Sequence, residues 1–131
     1  MGSEYGARCR KCGKKFIVQD GGGFTFVQVR CDKCGHGRFI DFRDMGELHN
    51  RYIKGLSGSY SIATAQHDKH VQENYAGEPL TEEEYHKLIE GFAGRHSCGG
   101  HFRLDAPVRC IDCGSTDIEA DEESRYGCCY D

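Results

Sequence analysis

Cys9-Arg10-Lys11-Cys12-Gly13 and Cys31-Asp32-Lys33-Cys34-Gly35 are the two stretches that decide how this chain is built. Each carries two cysteines separated by two residues, with a glycine directly after the second. Two thiolates at that spacing can face one ion, because the turn between them aims backbone amides at the sulfurs. The glycine permits the positive φ that completes such a turn. Eighteen residues separate Cys12 from Cys31. Read as neighbouring hairpins, the two stretches supply Cys9, Cys12, Cys31 and Cys34 to one tetrahedral site, with a cross-braced arrangement that shares ligands between segments as the open alternative.

The same signature returns near the other end as Cys110-Ile111-Asp112-Cys113-Gly114, but upstream of it only Cys98 is a cysteine. Cys12, Cys34 and Cys113 each close their hairpin and each precedes a glycine. Cys98 precedes Gly99, so it too reads as a closing ligand, and its partner should lie upstream at His96. The second expected site is therefore His96, Cys98, Cys110 and Cys113. His101, at Cys-x2-His spacing, is the less favoured fourth ligand, and Cys128 and Cys129 are further alternatives.

Thiolate and imidazole donors in fours point to zinc, two ions in all. A rubredoxin-like iron site, with electron transfer as its function, is the competing reading of the first four cysteines. The chain has no tryptophan, its hairpins lack proline, and its second site mixes histidine with cysteine, so zinc is the expectation. Both sites can be filled by four protein ligands, and neither shows the neighbouring acid or base of a catalytic zinc. The sites are thus expected to be structural, the chain not an enzyme, and no small-molecule substrate is evident. His67 and His70, with His49 and His86, read as solvated histidines rather than a third site.

The chain has 131 residues and a net charge of −4, which suits one compact domain or two very small ones. Modules of that size bury too little apolar surface to stand without a metal or disulfide staple. The nine cysteines fall mainly in tight pairs rather than in a disulfide framework. Met1 to Lys15 has no apolar leader, and no later stretch approaches a membrane span. A cytoplasmic thiolate–metal protein with no membrane partner is expected.

Around the cysteines the chain changes character twice. Phe16-Ile17-Val18, Phe24 to Val29 and Arg38 to Phe42 read as strands. Between Asp44 and Ala93 the pattern is helical. Asp44 and Glu47 have capping-box spacing, with Gly55 as a stop, and a second stretch runs from about Ser61 to Tyr75 on Ile62, Val71 and Tyr75. The third is the clearest. Thr81 is its N-cap, Glu84 the box partner, Leu80 and Tyr85 the staple, and Tyr85, Leu88, Ile89 and Phe92 one face. His101-Phe102-Arg103-Leu104 begins another strand, and the last residues are acidic.

The two cysteine-rich segments resemble zinc ribbons, the small β-hairpin metal modules of transcription, translation and accessory proteins. Cys9, Cys12, Cys31 and Cys34 match that pattern fully. Cys98, Cys110 and Cys113 match in part, with His96 standing where a cysteine is usual. The whole chain is also similar to a group of small bacterial proteins with two ribbons and no assigned activity. That resemblance rests on Tyr52-Ile53-Lys54-Gly55-Leu56 and on Glu78-Pro79-Leu80-Thr81-Glu82-Glu83-Glu84-Tyr85 between the ribbons. It implies a metal-stabilised α+β fold, two small β zinc ribbons flanking a helical insert. The N-terminal ribbon would span 1–43, the insert 44–94, the C-terminal ribbon 95–119 and the acidic tail 120–131.

Two functions compete. A protein-interaction adaptor or accessory subunit fits the staples and the mixed charge. The alternative is nucleic-acid binding through the first ribbon. Residues 1–40 hold eight Lys/Arg against three Asp/Glu, and Arg10, Lys11, Lys14, Lys15, Arg30 and Lys33 could meet phosphates while Phe24 and Phe26 stack on bases. Overall acidity places the adaptor first.

Overall fold

A computed structural model describes residues 2–120 and the backbone of residues 129–130. Two antiparallel sheets share one plan. In the first, β1 (Gly2–Cys9) pairs with β2 (Lys15–Asp20), in register from Ser3 opposite Asp20 to Arg8 opposite Lys15. In the second, β3 (Phe26–Cys31) pairs with β4 (Gly37–Asp41), from Phe26 opposite Asp41 to Arg30 opposite Gly37. The reversal in each hairpin is a cysteine turn, so the metal-ligand loops are themselves the hairpin loops.

Each sheet then takes a third strand from the C-terminal part of the chain. β5 (Phe102–Arg103) pairs with β3, and β6 (Ile118–Ala120) pairs with β1, placing Cys9 opposite Ile118. A last short strand, β7 (Cys129–Tyr130), pairs with Gly2 and Ser3 on β1. The sheet orders are β2-β1-β6 and β4-β3-β5. The ribbons are therefore nested: the second hairpin, the helices and β5 all lie in the chain between β2 and β6.

Four helices follow β4: α1 (Phe42–Met45), α2 (Glu47–Lys54), α3 (Ala65–Asn74) and α4 (Glu82–Ala93). α4 starts as its sequence dictates. Thr81 accepts from the Glu84 amide, and the Glu84 carboxylate accepts from Thr81, so two otherwise unpaired amides of the first turn are bonded. The expected Asp44–Glu47 box does not form. Asp41 caps α1 by accepting from the Arg43 amide, and Gly46 at φ 57° separates α1 from α2.

Burial also departs from the periodic reading. α4 buries Tyr85, Ile89 and Ala93, whereas Leu88 and Phe92 stay partly exposed. Ile62 lies outside α3 and is exposed, and α3 buries Val71 and the carboxylate Asp68. The apolar core lies between the second sheet and the helices, around Val29, Ile40, Phe42, Met45, Tyr85, Ile89 and Phe102. Among the described residues the first sheet contributes only Ala7, Cys9 and Val18 to the buried apolar set. It depends correspondingly more on its cysteine cluster and on its contacts with the second sheet.

Those contacts are specific. Arg30, buried on β3, reaches the Gln19 carbonyl at 3.0 Å and Asp20 at 3.5 Å. Gln28 donates to the Gln19 carbonyl at 2.6 Å and accepts from the Gly21 amide at 2.8 Å. Gly35, in the second cysteine turn, packs so tightly on Arg109 that a Cβ there would lie 2.7 Å from the Cβ of Arg109.

Candidate metal centres

Three cysteine turns are built alike. The amides of Cys9, Cys31 and Cys110 donate to the carbonyls of Lys14, His36 and Ser115, all at 2.9 Å, and Gly13, Gly35 and Gly114 donate back to the first cysteine's carbonyl. The glycines closing these turns have φ of 78°, 79° and 74°, a region that favours glycine. The remaining turn, third along the chain, is one residue shorter. His96 donates to the Gly100 carbonyl at 2.8 Å, Gly99 donates back to His96 at 2.9 Å, and Gly99 has φ 92°. His96 thus stands where the other turns have their first cysteine, and its longer side chain spans the missing residue.

The four turns combine in a way that corrects the expected pairing. Cys9 and Cys12 meet Cys110 and Cys113, while Cys31 and Cys34 meet His96 and Cys98. All eight expected ligands lie in the two clusters, each with the ligands of a different hairpin than the order along the chain suggests. The reason is sheet topology. β1 leads into the first turn and is paired by β6, which follows the fourth; β3 leads into the second and is paired by β5, which follows the third. His101 joins neither cluster. It bridges Arg95 across the third turn, and its amide donates to Asp32 at 2.8 Å. The Cys128 alternative lies outside the described residues, as does the side chain of Cys129.

Within each cluster the donor atoms all lie within 4.8 Å of one another. In the first, Cys9 and Cys113 sulfurs are 3.6 Å apart and those of Cys12 and Cys110 3.5 Å. In the second, Cys31 and Cys98 sulfurs are 3.4 Å apart, and His96 Nδ1 lies 3.2 Å from both Cys34 and Cys98. A regular tetrahedron with Zn–S bonds of ~2.3 Å has edges of ~3.8 Å, so the donor sets fit such an ion with little adjustment. Gly100 is held to glycine by the second cluster, since a Cβ there would lie 2.5 Å from the Cys31 sulfur.

The local fields favour thiolate at the first position of the three Cys-x-x-Cys turns. The Cys113 and Asp112 amides hold the Cys110 thiol down at about 6, and the Cys12 amide leads the same effect on Cys9. Burial pushes the Cys31 thiol up, but the Cys34 and Lys33 amides more than offset it. At Cys12 the Lys14 amide pulls down, yet the neighbouring sulfurs and burial push the thiol up to about 12. Four thiols this close cannot all ionise alone; a divalent cation among them supplies the missing charge. The rings of His36 and His96 stack at 4.9 Å, fixing the imidazole plane.

Of the six basic residues expected to meet phosphates, Arg10, Arg30 and Lys33 have partners within the chain. Arg10 pairs with Asp117 at 3.2 Å and Glu119 at 3.0 Å, and Arg8 also pairs with Glu119. Arg30 is buried against Asp20, and the Lys33 ammonium donates to the Cys98 carbonyl at 3.1 Å. Lys11, Lys14 and Lys15 stay on the exposed face of the first turn. Among the other histidines, His70 bonds Asn74 and His86 faces Glu82. No helix among the described residues is long and apolar enough to cross a membrane.

A family model described as a domain of unknown function (DUF8255) matches residues 5–119, a span that takes in all eight cluster residues. No curated protein and no solved structure matches the chain.

Proposed function

We propose that this chain, which belongs to the DUF8255 family, is a small two-zinc protein whose ions hold its nested ribbons together and whose surface docks another protein. The observation that carries this reading is the closure of two four-donor clusters, each joining cysteine turns from opposite ends of the chain. Four protein donors leave no coordination position for water or substrate, which is the chemistry of a structural rather than a catalytic zinc. Cys12 and Cys110 are 98 positions apart and Cys34 and His96 are 62 apart. Clips across such long loops remove much of the entropy of the unfolded chain. Thiolates in this state persist in a reducing compartment, which favours the cytoplasm.

The docking role draws its support from a groove of about 440 Å³ where the two sheets meet. Ile17 from β2 and Ile111 from the fourth turn are 69% and 68% exposed there, and Phe39 from β4 is 42% exposed. Large apolar side chains gathered on one surface mark an interaction site. β2 is the outer strand of its sheet, so an extended segment of a partner protein, laying apolar side chains into the groove, fits its shape. Nucleic-acid binding has less support, because Arg10 and Arg30 already face carboxylates.

Native mass and elemental analysis of protein isolated without added metal should give two zinc ions per chain, and chelation should unfold at least the ribbons. One ion, none, or a red iron-loaded protein would contradict the metal reading. The docking reading expects an Ile17→Glu/Ile111→Glu variant to keep both ions but lose the partners that the parent captures. Partners kept by that variant would refute the groove as the docking surface.

A further inference from the structure

His49 is the histidine the two clusters leave unexplained. It is 5% exposed on α2, its ring lies flat on Phe42 with centroids 3.7 Å apart, and its Nδ1 shares a 2.7 Å hydrogen bond with the Tyr85 hydroxyl. Burial holds the imidazole down at about 4, so it is neutral at physiological pH. The Tyr85 hydroxyl has no other partner among the described residues, so its proton is directed to Nδ1 and the ring hydrogen resides on Nε2. No described residue accepts from Nε2. The single buried side-chain nitrogen or oxygen without a hydrogen bond among the described residues is Arg109 Nε, so His49 Nε2 keeps access to solvent. His49 is one of the residues lining a cavity on this side of the fold.

This cavity of about 350 Å³ opens between α1, α2 and α3, within the range of small-molecule sites. Its charged groups are already matched with one another. Asp68, fully buried on α3, accepts from the Tyr60 amide at 2.8 Å and the Thr64 hydroxyl at 2.7 Å, with His67 Nδ1 at 3.5 Å. At the mouth, Arg43 and Asp41 hold each other at 3.2 Å. The buried donor left for a ligand is the neutral His49 N–H beside the ring of Phe42, with Thr25, Arg43 and His67 toward the mouth.

We propose that the cavity binds a small, neutral, planar molecule of the amide or cyclic-amide class. The carbonyl oxygen accepts from His49 Nε2, and the apolar body fills the space beside Phe42 and Thr25. A carboxylate of the same shape would sit next to Asp68 and Asp41, which repel it, and would have to compete with Asp41 for Arg43 and with Asp68 for His67. An amidinium would set its own N–H groups against the Nε2 hydrogen. A buried donor left unpaired by the wrong ligand is a stronger discriminator than a lost apolar contact.

Benzamide, benzoate and benzamidinium provide the three cases on one frame. Each is titrated into the zinc-loaded full-length chain while the His49 ring signals are followed by NMR. Benzamide should shift those signals saturably, with the two charged probes weaker by ~10-fold or more. Thr25→Trp, at an exposed wall residue, should close the cavity and abolish the response with the fold and zinc content intact. His49→Phe keeps the stacked ring and removes the donor, and should lose the response as well. Unmoved His49 signals with benzamide, an unchanged response in Thr25→Trp, or equal binding of the charged probes would each overturn the proposal.

Discussion

Replacing Gly35 with alanine should cost distinctly more stability than the same change at Gly13, although the two glycines have the same backbone. Their φ values are 79° and 78°, and an alanine in that region carries a penalty of ~1–2 kcal/mol at either position. The surroundings differ. Nothing lies within 4 Å of a Cβ added at Gly13, whereas one added at Gly35 would lie 2.7 Å from Arg109 Cβ and 3.1 Å from the Arg109 amide nitrogen. Arg109 directly precedes Cys110, a donor of the other cluster. The added methyl must therefore push the fourth turn away from the second, and overpacking of that kind costs ~1–3 kcal/mol. Urea denaturation of the zinc-loaded variants, each with its metal content verified, measures the difference. Gly35→Ala should exceed Gly13→Ala by about 1–3 kcal/mol. Equal losses, within ~0.5 kcal/mol, would mean the two ribbons do not bear on each other at this point.

Two further outcomes follow from other parts of the molecule. Thr81→Ala removes the capping-box hydroxyl of α4 and should destabilise the protein by ~1 kcal/mol in the same denaturation assay; no change would show that tertiary packing alone sets the start of this helix. His49 has a folded pKa of about 4, below its ordinary value of 6.5, so the fold favours the neutral ring. Its contribution is complete above pH ~6.5 and is lost as pH falls toward ~4. Between pH 7 and pH 5 the parent should lose about 2 kcal/mol more than His49→Asn, which offers Tyr85 a similar partner but does not titrate. Acid release of metal is common to both proteins and cancels in that difference; identical pH profiles would refute the assignment.

The members of the two clusters were legible in the sequence because a cysteine turn is a local object. Two donors, a spacing and a glycine at positive φ specify Cys9 and Cys12, Cys31 and Cys34, or Cys110 and Cys113 without reference to the rest of the chain. The same local rule identified His96 through Gly99, and the short third turn explains why histidine suits that place. Thr81 and Glu84 were legible for the same reason. The partnership of the turns was not, because it depends on β1 finding β6 and β3 finding β5 across the chain, and spacing carries no such information. One signal did bear on it: Arg8 and Arg10 in the basic head match Asp117 and Glu119 near the acidic end. Read as part of a phosphate patch, Arg10 concealed a strand pairing. The strand Gly2–Cys9 was missed because its alternation is weak, with Gly2, Ser3 and Gly6 among its residues. The face of α4 was misplaced because Ala93, small and buried, takes the position that periodicity gave to Leu88 and Phe92.

Zinc content of paired cysteine variants tests the nested architecture most directly. Cys12→Ser/Cys113→Ser places both changes in one cluster of the structure and should leave one tightly bound zinc per chain by native mass. Cys12→Ser/Cys34→Ser divides its changes between the two clusters and should bind neither ion tightly. If the first variant lost both ions while the second kept one, Cys9 and Cys12 would share their site with Cys31 and Cys34, and the nested ribbons would be wrong.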